Sequence, residues 1–264
     1  MKKLLFPAIS FLVILLFTGC RSVPVTDRTQ FLLTTEGYEN QLGAEAYEEY
    51  KKEYKPSSNE RYNQALASCG SAISKVADQK GFNWQFIVLE SSVQNAFCLP
   101  GGKVAVYTGL MDLMKNEAEL AFVVGHEIGH AIARHSGERM SWGMLQSLGG
   151  ILVELGFQND IVTEVYGTGT QLGVMLPFSR SNESEADLIG LLLMARAGYN
   201  PRASVEFWSR FSTSAEAGML GNLMSTHPCD ADRIAAMKEH MPEAEAEYQK
   251  AAVKRNYGVT FTHK

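Results

Sequence analysis

The strongest constraint on this chain is five residues long: His126-Glu127-Ile128-Gly129-His130, set in an apolar run from Leu120 to Ala133. Read as a helix, four residues advance the chain by about 400°, so His126 and His130 share a face one turn apart and their imidazoles converge. Glu127 lies about 100° round the helix, a neighbour of whatever the histidines hold and not a ligand to it. Zinc accepts neutral imidazole nitrogen, and a hydrolytic zinc site needs a base beside its water. The spacing provides both. The competing reading is two surface histidines beside a solvated glutamate. The test between the two is whether the rest of the chain supplies a third ligand, an outer shell and a substrate cleft.

Candidates for the first two lie downstream in Ser179-Arg180-Ser181-Asn182-Glu183-Ser184-Glu185-Ala186-Asp187. Glu183 and Asp187 are four apart and share a helical face. Glu185 is about 200° from Glu183 and points elsewhere. Glu183 is therefore the candidate third ligand, and Asp187 can accept the second ring N–H of a ligand histidine. The same acids also suit a helix N-terminus through its dipole, and local composition leaves both readings open. His135, five residues beyond His130, rotates off the ligand face and reads as structural.

The 264 residues are 45% hydrophobic and 20% charged, with a net charge of −5. No basic stripe marks a nucleic-acid partner. Lys2 and Lys3 precede an apolar stretch, Leu4 to Phe17, which reads as a signal peptide over 1–19 and is short for a membrane span. Phe17-Thr18-Gly19-Cys20 resembles a bacterial lipobox, which implies lipidation at Cys20. Arg21 after it resembles the outer-membrane sorting context, so the expected location is the bacterial envelope, anchored in the outer membrane and facing the periplasm. With Cys20 acylated, Cys69, Cys98 and Cys229 remain, and none has Cys-x-x-Cys zinc spacing.

Residues 20–35 read as a tether. Helical patterning covers 36–55 and, after Pro56-Ser57-Ser58, 59–79. Strands are expected at Trp84–Leu89, Val93–Leu99 and Lys103–Tyr107, making a small antiparallel sheet. A short helix follows from Thr108 to Met114. Asn116, with Glu119 three residues on, caps the helix that carries the histidine pair to about His135. Ser141 to Phe157 reads as a buried core helix, or else as a lid or membrane-surface helix. Gly167-Thr168-Gly169-Thr170 follows no nucleotide-binding strand and carries no phosphate-loop reading. Further helices are expected at 182–197, 201–211 and 230–240, with Pro242 as a breaker and 257–264 as a tail. The fold class is α+β and mainly helical, with one domain over 36–256.

In combination, the His-Glu-x-x-His stretch and Glu183-Ser184-Glu185-Ala186-Asp187 about fifty residues later resemble the gluzincin metallopeptidase family of the CAAX prenyl proteases, HtpX, BepA and LoiP. Asn95 to Gly102, Ser179-Arg180, and Thr226-His227-Pro228 with Arg233 and Ile234 fit it too. The small lipoprotein members of the LoiP type are the nearest likeness. The resemblance implies a zincin-like domain with its sheet beside the active-site helix and one zinc ion held by His126, His130 and Glu183. It makes Glu127 the general base, with Asp187 and Arg233 behind the ligands. His227 becomes either an oxyanion donor or an occupant of the metal's open position. Substrate is expected to add as a strand near Asn95, Ala96 and Phe97. Cys98 and Cys229 lie in two such motifs, and their pairing would lock the site. The implied activity is endopeptidase cleavage of unfolded or misassembled envelope proteins, with the outer-membrane assembly machinery as a further partner. The rival reading is a lipid-anchored chaperone whose zinc is structural or latched.

Overall fold

The computed structural model describes residues 20–154, 175–211, 221–228 and 230–261. The signal-peptide reading and the Gly167–Thr170 stretch lie outside these residues. In chain order the elements are β1 Cys20–Ser22, β2 Thr29–Phe31, α1 Glu36–Glu53, α2 Glu60–Ala77, β3 Gln85–Leu89, β4 Ala96–Leu99, β5 Lys103–Tyr107 and α3 Thr108–Met111. They continue with α4 Glu117–Ile132, α5 His135–Glu154, α6 Met175–Arg196, α7 Arg202–Phe211, α8 Gly221–Thr226, α9 Ala231–Glu239 and α10 Met241–Lys250. The protein is mainly helical, with a small sheet beside α4, as expected.

The sheet runs β3-β5-β4. β4 pairs antiparallel with β5, Cys98 opposite Val104, while β3 joins the other side of β5 in parallel, Gln85 opposite Lys103. Every residue of β5 is buried, as a central strand requires. Gly101 and Gly102, both at φ 81°, turn β4 into β5, and a Cβ on Gly102 would strike the Trp84 ring. The expected strand from Val93 is shortened to Ala96–Leu99 because side chains capture the preceding backbone. The Thr108 hydroxyl bonds Ser91 N and O, and Asn95 Oδ1 accepts Ala96 N.

Helix α4 is capped as its sequence dictates: Asn116 Oδ1 accepts Glu119 N at 3.1 Å, and Glu119 accepts Lys115 N at 2.8 Å. Its remaining first-turn donors need partners too. The chain's last stretch supplies them, with Glu117 N donating to Val259 O and Ala118 N to Tyr257 O. Phe261 is buried against Tyr62. Residues 257–261 of the expected tail are thus part of the domain. So is the expected tether: Val23, Phe31 and Leu32 are buried, and Arg28 reaches Glu138 and Glu185. The continuous helix expected to His135 instead breaks at Arg134, which adopts φ 54° while its guanidinium binds the buried Glu39 and Thr34 O. Pro242 starts α10 in its first turn, where its missing N–H costs nothing.

The core-helix reading of Ser141–Phe157 is corrected for its described side chains. Only Ser141 is fully covered there, while Trp142 and Met144 are exposed. Polar Ser141, Gln146 and Ser147 interrupt the apolar stripe a buried helix would need. None of the described helices is long and apolar enough to cross a membrane.

The core is dominated by α4 lying against α6. Gly125, Gly129 and Gly190 let the two backbones touch. A Cβ on Gly190 would stand 2.6 Å from His126 N, and one on Gly125 2.9 Å from Gly190 O. Backbone cannot move aside as a flexible side chain does. Gly190→Ala is therefore expected to lower stability by about 1–3 kcal/mol, read as a fall in melting temperature of about 2–4 °C per kcal/mol. An unchanged melting temperature would mean that the two helices can separate freely.

Candidate metal centre

The α4–α6 contact puts four side chains around one point. His126 Nε2 and His130 Nε2 stand 3.1 Å apart, and Glu183 approaches them at 3.4 and 3.3 Å. His227, just after α8, brings Nδ1 to 3.0 Å from Glu183 and 3.4 Å from His126 Nε2. All four ligand atoms lie within 4.8 Å of one another. A tetrahedral ion holding nitrogen and oxygen at about 2.0–2.2 Å spaces them about 3.3–3.6 Å apart. The donor chemistry and spacing therefore fit zinc. Glu183 lies more than two turns inside α6, which begins at Met175. The helix-dipole reading of this acid fails, since that effect fades within the first turn.

Electrostatics point the same way. Against the penalty of burial, hydrogen bonds from three histidines hold the Glu183 carboxyl far below its usual range. Burial also opposes charge on His126, yet the carboxylates of Asp187 and Glu183 raise it to about 10. His130 goes the other way, pushed down to about 3 by burial, with His126 and His135 adding to the fall. Two carboxylates thus create a potential that favours positive charge at this point.

Glu127 is 4% exposed, and its Oε1 has no hydrogen-bond partner. His227 Nε2 stands 3.5 Å from it. Burial is the main force pushing the Glu127 carboxyl upward. Asp187 accepts from His126 Nδ1 at 3.0 Å. Arg233 Nε and Nη2 in turn grip Asp187 at 2.7 and 2.8 Å, while Nη1 reaches Glu183 and Pro228 O. All of the zinc-site residues expected from sequence are therefore brought together. His227 stands within the cluster, in the place of a fourth ligand.

Two residues belong here that sequence reasoning set aside. His135 Nδ1 lies 2.7 Å from His130 Nδ1, and its Nε2 lies 2.9 Å from Glu185. On a continuous helix a fifth residue lies about 140° off the face. The break at Arg134 turns His135 back onto His130. No pattern of apolar residues signals that break.

Asn95, Ala96 and Phe97 lead into and form the edge strand β4. Ala96 is buried and Phe97 packs on Tyr50 at 4.5 Å. The charge of Glu127 adds to the burial that pushes the Cys98 thiol up, so β4 passes the base. Cys98 is a free thiol; Cys229, the other member of the lock considered from sequence, lies outside the described residues. Cys20 is exposed at the start of β1.

Two imidazoles from one helix, a glutamate from a second and a buried acid beside them define a zinc-dependent metallopeptidase centre. The model of peptidase family M48 matches residues 60–241, which hold every member of that centre, and the chain belongs to this family. It is 32% identical to the mitochondrial metalloendopeptidase OMA1 of Schizosaccharomyces pombe, over 87% of this chain and 68% of that protein. It is 40% identical to the Arabidopsis thaliana protein of the same name, over 62% of this chain and 33% of the relative. The beta-barrel assembly-enhancing protease of Escherichia coli is 29% identical, over 65% and 37%. The first of these comparisons overturns the location read from residues 1–21: the relative matched along most of this chain is a mitochondrial protein, not a bacterial outer-membrane lipoprotein.

Arg233 neutralises two buried carboxylates at once. Breaking a buried pair from one side leaves an uncompensated charge. Arg233→Met is expected to lower the unfolding free energy by about 3–5 kcal/mol in a denaturant titration. A loss below about 1 kcal/mol, the level of a surface pair, would contradict this role.

Proposed function

We propose that this chain is an endopeptidase for unfolded or misassembled polypeptides, with His126, His130 and Glu183 as zinc ligands and Glu127 as general base. The observation that carries the reading is Oε1 of Glu127, buried beside the ligand cluster without a hydrogen bond and 3.5 Å from His227 Nε2. When bound there, zinc supplies Lewis acidity to the scissile carbonyl and makes water a nucleophile near neutral pH. Glu127, its carboxyl raised by burial, takes the proton from the attacking water and returns it to the leaving nitrogen. Asp187 accepts from His126 Nδ1, which leaves Nε2 free to ligate. Arg233 holds Asp187 and the carbonyls of His227 and Pro228, so the His227 segment is tied to the ligand shell.

With zinc bound, His227 would be placed to take a fourth position until substrate displaced it. Once displaced, its ring is placed to donate to the oxyanion. The free edge of β4 pairs with an extended substrate through backbone hydrogen bonds, which suits targets of many sequences. The E. coli relative's name, a protease that enhances beta-barrel assembly, agrees with action on misassembled protein.

The test is degradation of an unfolded, reduced protein by the full chain and by Glu127→Gln. The expected result is a loss of about 10²–10⁴-fold, with zinc still bound. Equal cleavage would remove Glu127 from the mechanism. Zinc bound with no cleavage by either form would favour the chaperone reading. A zinc chelator is expected to abolish cleavage and added zinc to restore it; activity that survives full metal removal would contradict the zinc mechanism.

A further inference from the structure

The family match begins at residue 60 and so leaves out the β1–β2 hairpin. That hairpin nonetheless reaches the ligand shell. His130 Nδ1 and His135 Nδ1 are 2.7 Å apart, too close for two bare lone pairs, so one nitrogen carries the proton. His130 turns Nε2 to Glu183 and His126. A ligating Nε2 requires the proton on Nδ1. His130 Nδ1–H therefore donates to His135, whose own proton sits on Nε2 and is donated to Glu185 at 2.9 Å. The other oxygen of Glu185, Oε1, accepts from the Thr26 hydroxyl, and Arg28 Nε donates at 2.9 Å to Oε2, the oxygen that also faces His135. The two remaining edges of the same guanidinium bind Glu138 of α5 at 3.0 and 2.8 Å. His135, Glu138 and Glu185 are all buried, so the His135–Glu185 link is shielded from water, while Thr26 and Arg28 are partly exposed.

We propose that His135 and Glu185 are positioning residues that fix the ring angle and tautomer of His130, and that Thr26 and Arg28 make the hairpin part of the metal site. The inference rests on the zinc reading above and deepens it. The two ligand histidines are held differently. A carboxylate backs His126 directly, whereas a neutral imidazole stands between His130 and its carboxylate. Every link in that second chain has one direction of donation, so no other tautomer of His135 satisfies both of its neighbours.

The experiment measures zinc affinity of the full chain by competition with a chelator, together with the melting temperature of the metal-free forms. His135→Ala is expected to weaken zinc binding by about 10–100-fold. His135→Gln, whose amide oxygen accepts and whose nitrogen donates, is expected to recover part of that loss. Arg28→Met acts from the hairpin, two links away, and is expected to weaken binding about 3–10-fold, below the range for a direct outer partner. Nitrogen-15 NMR of the unaltered chain is expected to find the His135 proton on Nε2. Affinities of His135→Ala and Arg28→Met within twofold of the parent, or a His135 proton on Nδ1, would overturn the proposal. If His135→Ala does not fold, Arg28→Met and the NMR tautomer decide. A parent chain that binds no zinc would remove the metal reading and this inference together. Tight parent binding with unchanged variants would remove the inference alone.

Discussion

The contact between the backbones of α4 and α6 at Gly125 and Gly190 sets the geometry of the whole site. Glutamate and aspartate side chains are short. For Glu183 to meet His126 and His130, and for Asp187 to meet the far edge of His126, the two helices must lie closer than ordinary side chains allow. Gly190 lies seven residues after Glu183 and three after Asp187, so all three share one face of α6. Gly125 immediately precedes His126, and Gly129 lets Ala186 approach. The ligand face is thus the face that packs, and the site is as rigid as the core it belongs to.

That arrangement buries many charges, and the rest of the polar structure answers to them. Glu119 is bound by both terminal nitrogens of Arg210, Glu39 by Arg134, and Glu117 by the hydroxyl of Tyr199. Asp187 and Glu183 share Arg233, and Glu138 and Glu185 share Arg28. A buried carboxylate without partners is costly. Among the described acids buried as whole residues, Glu127 alone keeps an oxygen without a hydrogen bond, with His227 Nε2 3.5 Å from it. A structural acid would have acquired one. A base that must receive a proton from water has to keep that position open.

The metal site was legible because helical spacing converts sequence into direction. His126 and His130 on one face, Glu183 and Asp187 on another, and Asn116 as a cap all follow from local rules, and β5 falls where its apolar run predicts. His135 was not legible. Its reading assumed that the helix continues, and Arg134 ends it through an ion pair with Glu39, 95 residues earlier in the chain. Thr26 and Arg28 escaped for a related reason: their partners at Glu138 and Glu185 are more than a hundred residues away. A polar segment with scattered apolar positions reads as a tether until those positions prove to be buried. The envelope location failed differently. It rested on the lipobox reading of residues 1–21, whereas relatives matched along 87% and 90% of the chain are mitochondrial.

The central claim is that two imidazoles of α4 and a carboxylate of α6 hold one zinc ion. X-ray absorption at the zinc edge of the purified full chain tests it most directly. The account predicts one zinc per chain with only nitrogen and oxygen neighbours at about 2.0–2.2 Å and the multiple-scattering signature of at least two imidazoles. A sulfur shell at about 2.3 Å, or a spectrum lacking imidazole, would place the metal elsewhere and contradict it.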